Sequence, residues 1–239
     1  MKHIKILILI CSIFMGVLSS GIPVLASENG FITEPIEDSR KNEIFKNLRL
    51  KVIDEEEKLK PITCFDVRAD GYVVLGFDYA DRKKVCVYDA EMKYLYGYEF
   101  YSSGSYGVGW ENNYVALYLV RSDLVVLLDD KGRYVNMMEI VDCERNQTYW
   151  DNVVFSDFRY SGNKIYGLRD NMGVLNALAS SHSQLVAVEM DGSETILYNA
   201  NDYHTFSIIA ILIGIIAGLV LFVLWFLHLM KPYFKKYQK

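Results

Sequence analysis

Cysteine, histidine and positive charge are scarce in this chain, and each scarcity removes a class of function. Of its four cysteines, Cys11 sits in an apolar leader, which leaves Cys64, Cys86 and Cys143, an odd number without metal-type spacing. That set implies no disulfide framework. Cys64 and Cys86 fall on predicted strands and are expected as small buried apolar side chains, a disulfide between them being the alternative, while Cys143 is the candidate free thiol. Outside the leader and the C-terminal apolar run, the only histidines are His182 and His204. His182 stands beside Ser180, Ser181 and Ser183, yet a Ser-His-acid triad is assembled in space and adjacency in sequence does not make one. The chain has no H-E-x-x-H pair and no phosphate-binding glycine loop. No catalytic residue, metal ligand or cofactor is therefore expected. Between the two apolar runs, 19 Lys and Arg face 30 Asp and Glu, a net charge of −11, so nucleic acid is not an expected partner.

What is present starts with those two runs. Lys2 and Lys5 precede an apolar stretch ending at Leu18, and Val24-Leu25-Ala26 supplies a small-residue cleavage pattern before Ser27, which reads as an export signal. Residues 207–229 contain no charged side chain, and at ~1.5 Å per residue they extend roughly 35 Å, enough for the ~30 Å hydrocarbon core of a bilayer. Lys231, Lys235, Lys236 and Lys239 follow with no acid among them, while Asp202 and His204 precede, so the basic excess assigns the tail to the cytoplasm. The expected organisation is a signal peptide (1–26), an N-terminal linker with a short element (27–61), an extracytoplasmic β-repeat domain (62–204), a transmembrane helix (206–230) and a basic cytoplasmic tail (231–239). The expected topology is that of a single-pass type I protein of the cell membrane with its ectodomain outside the cell. Ala210, Gly214 and Gly218 recur every fourth position along the span and form a small-residue face, a candidate interface for a partner helix or a second copy.

Within 27–61, residues 42–53 fit a short helix passing into a strand, and the acidic run Asp54-Glu55-Glu56-Glu57 suits a linker. From residue 62 the texture changes to short runs of β-branched and aromatic residues separated by Asp, Asn and Gly. Segments 62–67, 72–77, 85–89 and 94–100 read as four successive strands, and 106–110, 114–120, 124–129 and 134–141 repeat the pattern. Cys86-Val87-Tyr88-Asp89 aligns with Val126-Leu127-Leu128-Asp129 at an offset of 40. A looser third copy uses 153–160, 164–168, 184–190 and 194–198. Four strands in about 40 residues is the blade period of β-propellers. Over residues 62–199 the chain resembles the propeller repeats of NHL and PQQ-like exported sensor or binding proteins, on strand spacing and the Asp-Gly-type turn before an outer strand. The fold class expected is mainly β, with antiparallel four-stranded meanders in an incomplete or degenerate propeller-like array, since three units fall short of the ~4–8 blades that close a ring, a sandwich of stacked meanders being the alternative.

The tyrosines between residues 94 and 118 crowd one region with Trp110, and Tyr101, Tyr106 and Trp110 are the candidate ligand surface, against a reading as sheet packing. Asp66, Asp70, Asp78, Asp81, Asp89, Asp129, Asp130 and Asp191 do not match a calcium loop and are expected as turn formers. The insertion 171–183 spaces Met172, Val174, Leu175, Leu178 and Ala179 for a short helix that caps a sheet edge or lies on a binding face. Asn146-Gln147-Thr148 matches a glycosylation acceptor. Repeats without a catalytic set point to a membrane-anchored, non-enzymatic binding or sensing module. The alternatives are a structural accessory subunit of a membrane complex and an exported hydrolase using His182.

Overall fold

The computed structural model describes residues 25–26, 30–179 and 181–236. The expected signal up to residue 24 lies outside them, as do Ser180 and the last three residues. Strands β1 (Leu25–Ala26), β2 (Ile32–Pro35) and β3 (Lys51–Ile53) flank helix α1 (Asp38–Leu48). The repeats follow as β4 (Ile62–Val67), β5 (Val73–Tyr79), β6 (Arg82–Tyr88) and β7 (Tyr94–Tyr101), then β8 (Tyr106–Glu111), β9 (Tyr114–Leu119), β10 (Leu124–Leu128) and β11 (Tyr134–Ile140). Helix α2 (Glu144–Tyr149) and a π-helix (Trp150–Val154) lead to β12 (Phe158–Ser161), β13 (Lys164–Arg169), a 3₁₀ helix (Gly173–Leu178), β14 (Gln184–Glu189) and β15 (Glu194–Asn199). Helix α3 (Asn201–Lys236) ends the description.

Three antiparallel sheets result, each built on a four-strand meander; the first gains β3 to make five strands, the second gains β2 and β1 to make six, and the third stays at four, and the first meander strands β4, β8 and β12 lie together. The fold is mainly β and propeller-like, with three blades and one long apolar C-terminal helix. Its repeat is visible in the outer hairpins. Asp89 Oδ1 accepts the amides of Glu91 and Lys93 at 3.1 and 2.8 Å, and Asp129 Oδ1 accepts those of Lys131 and Arg133 at 3.0 and 2.8 Å. Residues 40 apart thus make the same turn. In the third sheet Glu189 takes the equivalent backbone position, and Asp191 supplies the carboxylate that accepts the Ser193 amide at 2.8 Å.

Alternation within the strands sorts side chains into layers. In the first sheet, Val85, Val87, Tyr98 and Phe100 enter a core shared with Tyr106, Leu117, Leu124, Val126 and Met137 of the second. Phe65, Leu75, Phe77, Cys86 and Tyr88 point the other way, against Tyr166, Leu185 and Tyr198 of the third. The first sheet is therefore central and covered on both faces. The second sheet's far face, with Tyr118, Val125 and Leu127, is covered by Phe31, Tyr149, Trp150 and Val154. Phe31 sits 4.4 Å from the Tyr149 ring centroid and 5.0 Å from that of Trp150.

Several sequence expectations change here. The helix passing into a strand over 42–53 is present as α1 and β3, which pairs with β7, while the part of the segment before it, read as linker, supplies a further outer-edge strand, β2, pairing with β11. Residues 153–157, expected to open a strand, are instead helix and turn before β12 begins at Phe158. By the register of β12 on β13, residues before 156 would lie beyond Arg169, where β13 ends, so a strand at Val153 would lack a neighbour, and helical bonding satisfies its backbone. Cys64 and Cys86 belong to opposite faces of the first sheet, so no bridge joins them. Burial raises both thiols, Cys64 to about 12 and Cys86 to about 11, and keeps them protonated. Asn146 is 2 % exposed and fastens α2 to β2, accepting the Ile32 amide at 2.9 Å and donating to the Ile32 and Val141 carbonyls at 2.8 and 2.7 Å. A side chain so enclosed is not a glycan acceptor in this fold.

Candidate functional sites

Two polar constellations form where the sheets meet and where the last sheet passes into α3. At the first, β4 carries Asp66 inward between the sheets. Its Oδ2 accepts the Trp110 amide at 2.9 Å, and its Oδ1 accepts Arg159 Nε at 2.9 Å. The remaining Arg159 donors go to the Ser156, Phe158, Phe65 and Val154 carbonyls at 2.8 to 3.1 Å. Burial raises the Asp66 pKa, and the Arg159 charge and the Trp110 amide oppose that shift. With every guanidinium donor used, this pair ties the first sheet to the second and third. The hollow beside it measures about 40 Å³, room for a water-sized guest only. Asp66 had been expected as a turn former; nothing in its local sequence marks it off from the turn aspartates, because its partner is 93 residues away.

Of the three aromatic ligand-surface candidates, Tyr106 is 0 % exposed. Its hydroxyl donates to the Phe77 and Lys84 carbonyls at 3.0 and 3.3 Å, so it welds the first two sheets and offers no face to solvent. Burial holds its pKa well above the usual phenol range. Tyr101 is half-buried under the Arg49 guanidinium, 5.6 Å from its ring centroid. Trp110 is half-exposed, and Arg68 stacks over it at 4.7 Å and over Tyr72 at 4.2 Å while chelating Asp70. Tyr106 and Trp110 lie roughly 13 Å apart along β8, so the three do not form one shelf. Neighbouring tyrosines also bond backbone, Tyr98 to the Asp129 carbonyl at 2.6 Å and Tyr94 to that of Ile53 at 2.7 Å.

The second constellation joins His182, Asp170, Asp157 and His204. The His182 backbone pairs with Ile62 in both directions, at 2.7 and 2.9 Å, which fixes the insertion to the first sheet. Its Nδ1 faces Asp170 Oδ2 at 3.2 Å and its Nε2 faces Asp157 Oδ1 at 3.3 Å. His204, on the first turn of α3, faces Asp170 Oδ1 at 3.9 Å. Asp170 is oriented by the Ser183 amide at 2.8 Å, and the Ser183 hydroxyl is directed to the Arg169 carbonyl and Asn201. Both histidines therefore meet one carboxylate at the root of the helix, and the Ser183 hydroxyl is turned away from the imidazole.

Helix α3 is long and apolar enough over Asn201–Met230 to cross a membrane. Ala210, Gly214 and Gly218 lie on its exposed surface, and a side chain added at either glycine would meet nothing within 4 Å.

No family model and no curated protein matches the chain. Among solved structures it is similar to Hsv2 of Kluyveromyces lactis, at 12 % identity over 59 % of this chain and 38 % of that one, with a TM-score of 0.28. It is also similar to a catalytically inactive virginiamycin B lyase from Staphylococcus aureus with quinupristin, at 9 % identity over 62 % of this chain and 44 % of that one, TM-score 0.26. A streptogramin B lyase matches at 11 % identity over 64 % of this chain and 45 % of that one, TM-score 0.26. The chain spans under half the length of each of these three.

Proposed function

We propose that this chain is an exported, membrane-anchored, non-enzymatic binding or sensing module that docks a protein partner outside the cell. In this reading α3 is the anchor, the sheets form the ectodomain, and 231–239 is the cytoplasmic tail. The observation that carries it is the uncovered outer face of the third sheet. Phe158, Tyr160, Ile165 and Ile196 are 52, 72, 41 and 47 % exposed there, whereas the corresponding faces of the other sheets are covered. Beside Tyr160 and Ile165, Val188 and Met190 line a shallow depression of about 170 Å³. The outer edge of β15 also receives no strand among the described residues, where β7 and β11 each receive an N-terminal strand. An apolar face with a free strand edge suits a partner that brings its own sheet or strand. Ala210, Gly214 and Gly218 supply a second contact within the membrane, open to a partner helix or another copy.

Protease applied to intact cells should digest the ectodomain and spare the tail; a protected ectodomain overturns the topology. Proteins co-purifying in mild detergent should be lost with Tyr160→Asp and Ile165→Asp and kept with Tyr114→Asp, a change at another exposed aromatic. Equal recovery with all three removes the third sheet as the docking face.

A further inference from the structure

We infer that the 3₁₀ helix Gly173–Leu178 rests in the outer leaflet of the membrane beside the anchor, with Val174 and Leu178 in contact with lipid. This rests on the reading of α3 as the membrane anchor. The insertion leaves the third sheet between β13 and β14, at the end where β15 passes into α3, because Arg169 pairs with Gln184 and Gln184 with Asn199. Insertion and anchor root are fastened there by the contacts of Asp170 with His182 and His204 and of Ser183 with Asn201.

Depth follows from packing. The 3₁₀ helix lies against α3, whose buried side chains among the described residues, His204 and Ile208, are near its start. Ile208, already inside the uncharged stretch 207–229, is 9 % exposed, so protein reaches down to its level. Farther along, Ile211 and Ile213 are 62 and 61 % exposed, as a lipid-facing helix requires.

Chemistry then selects the occupant. In a domain of net charge −11, residues 171–181 carry no charged side chain at all. Asn176 turns the loop's polar groups onto each other, accepting the Met172 amide at 2.8 Å and donating to the Asp170 carbonyl at 3.1 Å. The aliphatic tips point out, Val174 at 91 % exposure and Leu178 at 56 %. An uncharged, internally bonded loop with aliphatic tips at the level of the bilayer boundary matches the headgroup–acyl boundary of a lipid leaflet, where apolar side chains are buried and no charge has to be carried below the headgroups. Two aliphatic side chains are a weak anchor alone; next to α3 they fix the tilt of the ectodomain on the membrane.

The test uses the full chain in phosphatidylcholine–phosphatidylglycerol vesicles, with Cys143→Ser as background. An environment-sensitive fluorophore is placed on Val174→Cys, Leu178→Cys, Tyr160→Cys or Leu219→Cys, one at a time. All four side chains are solvent- or lipid-exposed, so the substitutions leave the cores intact. Probes at 174 and 178 should emit to the blue of the probe at 160 and be quenched at least threefold more strongly by lipids carrying a shallow nitroxide. Probes at 174 and 178 that behave like the one at 160, with the probe at 219 in lipid, overturn the inference and leave the anchor standing. A probe at 219 in water removes the anchor reading itself, and the inference with it.

Discussion

The first and third sheets share one strand plan and differ in cover. In β6, Val85, Cys86, Val87 and Tyr88 are all at most 1 % exposed, because a sheet packs on each side. In the third sheet, Tyr166 and Leu185 are buried against the first, while Tyr160 and Ile165 on the opposite face are open. A run of β-branched and aromatic residues states that a strand forms, not how many of its faces are covered. The difference separates two duties: the central sheet holds the molecule together, and the end sheet has apolar surface to spare for something else.

The comparison can be broken most directly by truncating one large side chain in each sheet. Phe77 is fully buried, its ring 5.6 Å from that of Tyr198, and Phe77→Ala should cost about 3–5 kcal/mol in urea-unfolding measurements. Tyr160→Ala, at a side chain 72 % exposed, should change stability by no more than about 0.5 kcal/mol. Similar losses at both positions would mean that the third sheet is covered in solution and that the two sheets do not differ in cover.

Next in size is the tie between the sheets. Arg159→Met leaves the mostly buried Asp66 carboxylate without its cation, a change that costs about 3 kcal/mol in comparable buried pairs. The loss should depend on pH. Burial already raises Asp66, and without Arg159 it rises further above its unfolded value. A carboxyl with a raised folded pKa favours folding below the unfolded pKa, and that advantage is lost as pH rises through the folded pKa. Arg159→Met should accordingly be less destabilised at pH 5 than at pH 8; a loss independent of pH would assign the effect to packing alone.

Much of the array is legible in sequence, and the reasons for the rest are physical. Strand starts such as Ile62, Tyr94, Tyr106, Tyr114, Leu124 and Tyr134 coincide with observed ones because local alternation and Asp or Gly turns set them. The turn role of Asp89 and Asp129 is equally local, since carboxylate and amides lie within four residues. Asp66 looked the same and is not, because Arg159 reaches it only through the packing of three sheets. Tyr106 as a surface candidate fails for the same reason: its partners Phe77 and Lys84 belong to another sheet. The edge strand β2 is too short to declare itself, and pairing rather than composition makes it a strand, whereas β3 is the strand into which the helix of 42–53 was expected to pass.

Glu57 sharpens the comparison from the side of the central sheet. It belongs to the acidic run that suited a linker, yet it is 8 % exposed and caps that sheet's end. Its Oε1 accepts the amides of Lys58, Leu59 and Lys60 at 3.0 to 3.1 Å, and its Oε2 accepts the Tyr79 hydroxyl. Burial pushes its pKa up, but the bonds from Tyr79, Leu59 and Lys60 and the Lys84 charge outweigh that and leave it lowered. A carboxyl with a depressed folded pKa stabilises above its unfolded pKa of about 4.3, and the contribution is lost as pH falls through the folded pKa. Glu57→Gln should cost about 2 kcal/mol at pH 7 and less at pH 3, as expected for bonds to a charged acceptor. A cost unchanged at pH 3 would show that the carboxylate charge plays no part.

The smallest effect comes from one position of the outer turn, occupied differently in the three sheets. Met92, Gly132 and Gly192 are equivalent and all left-handed, with φ of 59°, 70° and 83°. A Cβ at Gly192 would meet nothing within 4 Å, so Gly192→Ala isolates the backbone penalty, about 1 kcal/mol for an L-residue in that conformation. Met92 already bears that penalty in the central sheet, where its side chain packs against the core shared with the third. Met92→Gly relieves the strain but loses that packing and gains entropy in the unfolded chain, so the net change should stay within about 0.5 kcal/mol. Denaturant midpoints of the two variants decide the matter. If Gly192→Ala proves costless, the third sheet's turn relaxes out of the left-handed conformation, and the end sheet is looser than the central one in its backbone as well as in its cover.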